Sequence, residues 1–350
     1  MGKLPHSRGW ENGFLPAGSL EDVTEYYSWL STNCLTWRGT DSAARALQDF
    51  GHREAKRFRR EADAFRKDLI RGFERNREHA PLVPLRDGRW VPHYPSRLYC
   101  RGRDFGWIRE VLEGAVYLPI SGLYDPRSKQ AGWILDDYQD NLCHTPPYGY
   151  VLRDPEASLW HRGGFSIQPN LLAGLIPHLD RDEVEISLLM FFNTWAACFR
   201  EEVGGMIEHP MPELGFDNAT AFKTSDEANA VMWLRSMMVY STPRYLHLGR
   251  AIPRAWFFHG EEVKITRVRT HYGEVSAHWV SDLAHDRLTL NANLKGAKDA
   301  PRAWARFRHP EKARIRSVSV NGEGWRKFDP GKEDVDITGL KGQVRVDVSY

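Results

Sequence analysis

The hydrophobic period of this chain changes once along its length, and this change constrains the fold more than any other feature. Up to about Tyr245, apolar residues recur every three to four positions, which is the period of amphipathic helices. The clearest repeat comprises Phe58, Ala62, Phe65, Leu69 and Phe73. After Pro253, apolar and polar residues alternate, as they do in half-buried strands. The sequence therefore predicts helices first and strands afterwards.

Three segments follow from this pattern. Residues 1–19 form a lead-in rich in Gly and Pro, residues 20–252 a domain of helical hairpins, and residues 253–350 an antiparallel β-sandwich. The last segment contains seven or eight short alternating runs, a number typical of a sandwich. Between two of these runs, Asn321-Gly322 predicts a two-residue hairpin turn.

The helical part is expected to contain three long loops, at residues 80–103, 144–166 and 203–223. Their Pro, Gly and aromatic residues interrupt the helical period. Seven predicted helices cover about 23–37, 58–73, 104–118, 128–141, 170–176, 181–200 and 224–240. A further helix is predicted to begin with Asp41 as its N-cap, and Pro119 is predicted to end the helix at 104–118.

Composition excludes several classes of protein. The 350 residues carry 48 Lys and Arg against 46 Asp and Glu, so the net charge of +2 gives no reason to expect nucleic-acid binding. No apolar run is long enough to predict a membrane span, and the first residues lack the apolar stretch of a secretory signal. The four cysteines, Cys34, Cys100, Cys143 and Cys198, have neither zinc nor disulfide spacing. We therefore expect a cytoplasmic protein without metal or cofactor.

Several stretches of sequence carry a resemblance to a known family. They are W-L-S-T-N-x-L and H-R-E-A-K-R-F-R-R-E-A-D-A-F-R within 22–78, R-G-R-D-F-G-W-I-R-E-V-L-E-G at 101–114, G-G-M-I-E-H-P-M-P-E-L-G leading into K-T-S-D-E-A-N at 204–229, and the C-terminal R-H-P…V-S-V-N-G…W…F-D. Together with the order of helices and strands, they resemble the C-terminal part of the six-hairpin (α/α)-toroid glycoside hydrolases that end in a β-sandwich.

The resemblance implies a fold that is mainly α plus β, in which an (α/α) toroid of helical hairpins precedes an antiparallel sandwich. A complete toroid has more helices than the seven or eight predicted here, so the toroid is expected to be incomplete. The missing hairpins would come from an N-terminal portion of a longer protein or from a partner. A remnant of this kind exposes apolar faces, which favours a homo-oligomer.

Glycoside hydrolysis needs two carboxyl groups at the scissile bond, one as acid and the other as base or nucleophile. Asp104 continues an inward stripe at a helix start, although plain N-capping also accounts for it. Glu208 and Glu213 lie in the loop before the last helix, where the resemblance places the base. Asp226 ranks below them as a catalytic candidate, because residues 224–227 also match a capping box.

Substrate contacts are expected from aromatic and polar residues in and beside the loops. Aromatic rings can stack on the apolar faces of sugars, and Arg, His and Gln can bind hydroxyl groups. The predicted set comprises Trp90, Arg97, Arg103, Tyr148, Trp160, His161, Arg162, Gln168 and His209, with Tyr94, Tyr99 and Tyr150 as further stacking platforms. Large aromatics also close loops onto a core, and this alternative applies to half or more of them.

The predicted function is therefore hydrolysis of an oligosaccharide or glycoside, with a carbohydrate as the partner. A polysaccharide lyase is the first alternative, with base and charge-neutralising groups drawn from Tyr148, Tyr150, His161 and Arg162. A non-catalytic truncated toroid that binds glycan or another protein is the second alternative. Neither nucleic acid nor membrane is expected as a partner.

Overall fold

A computed structural model of the chain describes residues 9–20, 23–103, 114–141, 175–211, 216–221, 224–295 and 300–350. Within these ranges the chain is mixed α and β, with seven α-helices and eighteen β-strands. It divides into two units, Met1–Ala230 and Val231–Tyr350, and the division falls within the last helix.

The described part of the first unit contains six complete helices and the start of a seventh. They are α1 (Leu30–Asp49), α2 (Ala55–Arg77), α3 (Tyr117–Ser121), α4 (Lys129–Asn141), α5 (Leu175–Arg181) and α6 (Val184–Cys198), and α7 (Thr224–Met238) begins there. Helix α1 packs against α2 and α3, and α5 packs against α6. Helices α1 and α2 pack together through buried apolar residues, which are Trp37 on α1 and Leu69 and Phe73 on α2. No helix within the described ranges is long and apolar enough to cross a lipid bilayer.

Short hairpins accompany these helices. Strands β1 (Gly18–Leu20) and β2 (Val23–Tyr27) pair, as do β3 (Leu82–Pro84) and β4 (Trp90–Pro92), while β5 (Phe199–Arg200), β6 (Gly205–Met211) and β7 (Phe216–Ala221) form a third sheet. The expected loops at 80–103 and 203–223 therefore contain hairpins. The expected loop at 144–166 lies wholly outside the described residues, and the helices expected to begin at 104 and 170 lie partly outside them.

Three predicted helix boundaries are wrong. The helix expected from about residue 23 begins at Leu30, because Val23–Tyr27 forms strand β2. Asp41 does not start a helix but lies inside α1, where its carboxylate accepts from Arg59 at 2.6 Å and from Arg45 at 2.8 Å. These ion pairs satisfy the side chain without a cap. Pro119 lies in the first turn of α3 rather than after a helix. A first-turn residue needs no intrahelical N–H partner, so proline is tolerated there.

The second unit contains two sheets. The six-stranded sheet has the order β10-β11-β12-β18-β14-β15, and the five-stranded sheet has the order β16-β17-β13-β9-β8. The strands are β8 (Val239–Thr242), β9 (Tyr245–Leu248), β10 (Glu262–Thr270), β11 (Gly273–Asp282), β12 (Arg287–Asn293), β13 (Ala303–Arg306), β14 (Ser317–Val320), β15 (Glu323–Gly324), β16 (Phe328–Asp329), β17 (Asp334–Asp336) and β18 (Gln343–Ser349). Among the described pairs, β9 and β13 run parallel and the others antiparallel.

One hydrophobic core draws on both sheets of the second unit. Its largest fully buried side chains are Trp279, Phe257 and Phe307, and the alternation of strand β18 contributes Val344, Val346 and Val348. The predicted turn at Asn321-Gly322 is confirmed, because both residues have positive φ (52° and 87°) and β14 pairs with β15 across them.

A buried charged network links three strands of the five-stranded sheet. Arg306 on β13 binds Asp334 on β17 with two hydrogen bonds of 2.8 and 2.7 Å. His247 on β9 lies 2.9 Å from Asp334, and its Nδ1 accepts from Arg250 at 2.7 Å. Because a guanidinium can only donate, the proton of the neutral imidazole is on Nε2 and is donated to Asp334.

Burial sets the protonation states of this network. It lowers the pKa of His247 to about 4, against the opposing pull of Asp334. Burial alone would raise the pKa of Asp334, but His247 and Arg306 outweigh it and hold this pKa far below its usual value. The network therefore contains a neutral His247 and an ionised Asp334.

Gly249 permits the close approach on which this network depends. Its φ is +73°, and a Cβ at this position would lie 2.8 Å from the backbone oxygen of Arg306 and 3.0 Å from the Trp279 ring. Neither backbone nor buried indole can move aside cheaply.

We predict that Gly249→Ala destabilises the protein by about 1–3 kcal/mol, because it combines left-handed strain with a steric clash. Gly260→Ala is the matched control, since Gly260 also has a positive φ (+86°) but open space around its Cβ position. Urea denaturation gives both values. Equal losses for the two variants would show that the clash with Arg306 is absent.

We further predict that stability falls by about 3 kcal/mol between pH 6.5 and pH 4 through His247. The pKa of His247 is lower in the folded protein than in the unfolded chain, so only the unfolded chain binds a proton between these two pKa values. The contribution of His247 to stability is therefore fully present above pH 6.5 and is lost as the pH falls toward 4. His247→Gln should remove this part of the pH dependence, and His278→Gln, at a more exposed site, should retain it. Urea titrations at both pH values measure the difference. A pH profile unchanged by His247→Gln would contradict the assignment.

Candidate functional site

A carboxylate with three donors lies at the C-terminal half of α2. Glu74 Oε1 accepts from the hydroxyl of Tyr94 at 3.2 Å and from that of Tyr124, and Oε2 accepts from Arg77 Nε at 2.7 Å. Arg77 is one helical turn beyond Glu74, which brings the two side chains together. The rings of Tyr94 and Tyr124 meet edge to face, with centroids 6.0 Å apart.

Burial fixes the direction of these hydrogen bonds. It raises the pKa of Tyr94, and the charge of Glu74 raises it further; burial and the neighbouring Tyr94 likewise raise the pKa of Tyr124. Both hydroxyls therefore stay protonated and donate to Glu74. The Glu74 side chain is 25% exposed, so it is oriented from the protein side and accessible from solvent.

A second carboxylate cluster includes His93, the residue directly before Tyr94. Asp137 on α4 binds His93 Nδ1 at 3.1 Å and accepts from Asn141 at 3.0 Å, and Arg103 lies 3.6 Å away. His93 and Asp137 are 5% and 3% exposed. The consecutive residues His93 and Tyr94 thus each hold a carboxylate from a different helix, which ties the segment after β4 to both α2 and α4.

A third cluster joins α5 to α6. His178 Nδ1 lies 2.6 Å from Glu183, and Arg181 donates to the other oxygen of Glu183 at 2.7 Å. Burial raises the pKa of Glu183, but the hydrogen bonds and charges of His178 and Arg181 outweigh burial and lower it overall. His178 is almost fully buried, so this cluster fastens the helix pair and presents little surface to a ligand.

The hairpin β3–β4 presents an aromatic side chain to solvent. Trp90 is 62% exposed. Val83 and Val91 form a small core with Trp133 of α4, and Arg89 bonds Asp136 at 3.2 Å. The exposed indole is therefore carried on a hairpin that is anchored to a helix.

The structure describes only part of the site predicted from the sequence. Asp104, Glu213, Tyr148, Tyr150, Trp160, His161, Arg162 and Gln168 lie outside the described residues. Glu208 and His209 are in strand β6, which pairs with β7 directly before α7. Asp226 is in the first turn of α7 and is fully buried.

The remaining predicted residues lie in well-described surroundings. Arg97 stacks over the ring of Tyr27 at 4.5 Å and lies 5.9 Å from that of Trp29, while Arg103 belongs to the Asp137 cluster. Tyr94 is 4% exposed, and Tyr99 stacks on Trp10 at 4.9 Å, so both rings close loops onto the core. Tyr94 and Tyr99 therefore pack against the core, which is the alternative to sugar stacking that was given for the loop aromatics.

Sequence reasoning missed Glu74, His93, Tyr124 and Asp137 as members of a site. Glu74 and Asp137 stand among many charged residues on their helices, and only their tertiary partners distinguish them. The adjacent His93-Tyr94 pair after a short strand was the available signal. Within the described residues, no three His, Cys, Asp or Glu side chains are grouped so as to hold a metal ion.

Comparison with known proteins adds little. No family model matches the sequence, and no curated protein matches it. A solved structure titled "Glycoside hydrolase" aligns with 67% of this chain and 46% of its own length, at 10% identity and a TM-score of 0.32. This chain therefore spans less than half of that neighbour. A likeness this remote establishes neither fold nor function.

We predict that Tyr94→Phe lowers stability by about 1–2 kcal/mol, because it removes one hydrogen bond to a partly exposed charged group and leaves the ring in place. Tyr26→Phe is the control, since Tyr26 is 70% exposed. Chemical denaturation of both variants measures the difference. Equal midpoints would show that Tyr94 does not bond Glu74.

Proposed function

We propose that this protein is a carbohydrate-active enzyme that hydrolyses a glycosidic bond with paired carboxyl groups. The observation that carries the proposal is the Glu74 centre, in which two protonated phenols and a guanidinium orient a partly exposed carboxylate. A base or nucleophile in glycoside hydrolysis must be held in one orientation while one face stays open to substrate or water.

The second carboxyl group comes from the candidates predicted from the sequence. Asp104 is proposed as the acid, with Glu208 or Glu213 as its alternative. Arg103, which directly precedes Asp104 in the sequence, lies 3.6 Å from Asp137. Asp226 is fully buried, so we propose a supporting role for it.

Trp90 is the proposed sugar-stacking platform. The backbone that carries it is anchored, and its exposed indole is available to the apolar face of a sugar ring. Further substrate contacts are proposed for Arg97, Arg103, Tyr148, Trp160, His161, Arg162, Gln168 and His209.

The finer fold assignment is part of the proposal. The helix pairs α1–α2 and α5–α6 support an (α/α) toroid that is incomplete in this chain, and the shared core of the two sheets supports a β-sandwich. Completion by an N-terminal portion of a longer protein, or by a second copy of the chain, is proposed with it.

The lyase alternative names Tyr148, Tyr150, His161 and Arg162, which lie outside the described residues. In such a lyase a tyrosine or histidine acts as the base. The raised pKa values of Tyr94 and Tyr124 keep these hydroxyls protonated, which suits donation to Glu74 and not proton abstraction.

We predict sugar release from a broad panel of oligosaccharides and glycosides, and a fall in kcat of about 10²-fold or more for Glu74→Gln, since the amide cannot act as base or nucleophile. Reducing-end assays and chromatography of products measure both. Glu61→Gln is the control, because Glu61 lies on the same helix and is exposed.

Unchanged kcat in Glu74→Gln would remove Glu74 from the reaction, and Asp104→Asn, Glu208→Gln and Glu213→Gln would then be compared in the same assay. Products that absorb in the ultraviolet as unsaturated uronates would establish the lyase. Absence of any product from folded protein would contradict catalysis and favour the non-catalytic glycan-binding alternative.

A further inference from the structure

The hydrogen bonds of Glu74 use one of its carboxylate oxygens fully and the other only in part. Oε1 accepts from the hydroxyls of Tyr94 and Tyr124, and because a carboxylate oxygen has two lone pairs, both of them are occupied. Oε2 accepts from Nε of Arg77 at 2.7 Å and from no other group among the residues that the structure describes. The remaining lone pair of Glu74 is therefore on Oε2, beside the Arg77 guanidinium.

Arg77 uses only part of its hydrogen-bonding capacity in this pair. Its Nε is bonded to Glu74, whereas Nη1 and Nη2, which carry the other N–H groups, make no hydrogen bond with any described residue. The side chain is 23% exposed, and neither terminal nitrogen is enclosed without a partner. Solvent therefore reaches both the open side of Oε2 and the adjoining donors of Arg77.

We propose that Oε2 is the reacting oxygen of Glu74 and that Arg77 binds the hydroxyl group on the sugar carbon next to the reacting carbon. The inference rests on the proposed function, which is glycoside hydrolysis at Glu74. It deepens that function by naming a specificity-determining residue and the substrate group that this residue recognises.

Oε2 faces the anomeric carbon whether Glu74 is the nucleophile or the base. As nucleophile, Oε2 bonds this carbon while the bond to the leaving oxygen breaks, and the second carboxyl group protonates the leaving oxygen. Water then displaces Glu74 from the carbon and returns a proton to the second carboxyl group. As base, Oε2 instead takes a proton from a water molecule whose oxygen bonds the carbon directly. The sugar group next to this carbon therefore comes to lie beside Arg77.

The charges around Arg77 favour a neutral acceptor on the substrate. A guanidinium can only donate, so its partner is an acceptor oxygen. The charge of Arg77 is balanced by its ion pair with Glu74, and the neighbouring Glu78 adds a further negative charge. Arg75 does not offset Glu78 at this position, because it lies about 200° around the helix from Arg77. A sugar hydroxyl therefore fits better than a carboxylate or a phosphate.

The charge that develops during the reaction selects the hydroxyl. The anomeric carbon has two ring neighbours, which are the ring oxygen and the carbon that bears the adjacent hydroxyl. The transition state resembles an oxocarbenium ion, so positive charge spreads onto the ring oxygen, and a guanidinium beside that oxygen would oppose the reaction. Arg77 is therefore on the other side of the reacting carbon, where a hydrogen bond to the adjacent hydroxyl strengthens in the transition state.

The experiment combines two substrates with two proteins. The substrates are the 4-nitrophenyl glycoside of the sugar that the wild type releases and its 2-deoxy counterpart, which lacks the adjacent hydroxyl. The proteins are the wild type and Arg77→Gln, and kcat/KM is measured for each combination. Arg57→Gln is the matched control, because Nε of Arg57 bonds Oε2 of Glu54, three positions earlier, at 2.6 Å.

We expect Arg77→Gln to lower kcat/KM at least about tenfold more for the hydroxyl-bearing substrate than for the 2-deoxy substrate, which is the effect of one hydrogen bond to a charged donor. Arg57→Gln should change neither value. Circular dichroism checks that the variants are folded. Arg77→Lys, which keeps the charge without the planar fork, replaces Arg77→Gln if that variant does not fold, and the same difference between substrates is expected.

Equal losses on both substrates would show that Arg77 only orients Glu74, and would overturn the inference. It would also be overturned if the wild type cleaved the corresponding uronate faster than the neutral glycoside and Arg77→Gln lost this preference, because Arg77 would then bind a carboxylate. Both of these outcomes retain the hydrolase. Absence of cleavage of any glycan by the folded wild type would instead reject the hydrolase and this inference with it.

Discussion

The hydrogen bonds from His93 and Tyr94 to two helix carboxylates organise the described part of the helical unit. His93 reaches Asp137 on α4, and Tyr94 reaches Glu74 on α2. A buried or half-buried carboxylate that loses its donors retains the desolvation penalty of its charge. Removing one of these donors therefore destabilises the protein by more than the hydrogen bond itself contributes to stability. The segment after β4 is consequently fixed to both helices, and with it the anchored Trp90 hairpin on one side and Arg103 on the other.

The second unit also contains a carboxylate held by several donors, but this carboxylate is enclosed by the fold. Asp334 is held by Arg306 and by a neutral His247, and the cluster is enclosed between strands. Glu74, in contrast, retains partial exposure while its donors are largely buried. The same chemistry of a carboxylate with charged and neutral donors therefore serves structure in one unit and, in our proposal, reaction in the other. Accessibility separates the two cases.

The sequence predicted the elements whose signals are local. The apolar repeat of α2, the extents of α4 and α7, and the turn at Asn321-Gly322 follow from periodicity and turn chemistry. Asp41 and Pro119 were misplaced because ion pairs with α2 and the tolerance of a first helical turn override local preference. The Glu74 and Asp137 clusters could not be predicted, since their partners are 20 and 44 residues away in sequence. Asp104, predicted from its place at a helix start, and Glu213, predicted from resemblance, lie outside the described residues.

The most direct test of the account is chemical rescue of Glu74→Ala. If Glu74 is the reacting base or nucleophile, removal of its side chain abolishes hydrolysis and leaves room for a small external anion. Azide or formate should then restore turnover in this variant while leaving the wild type unaffected, and azide should yield a glycosyl azide product. A folded Glu74→Ala variant that neither azide nor formate reactivates, or one that never lost activity, would contradict the central claim.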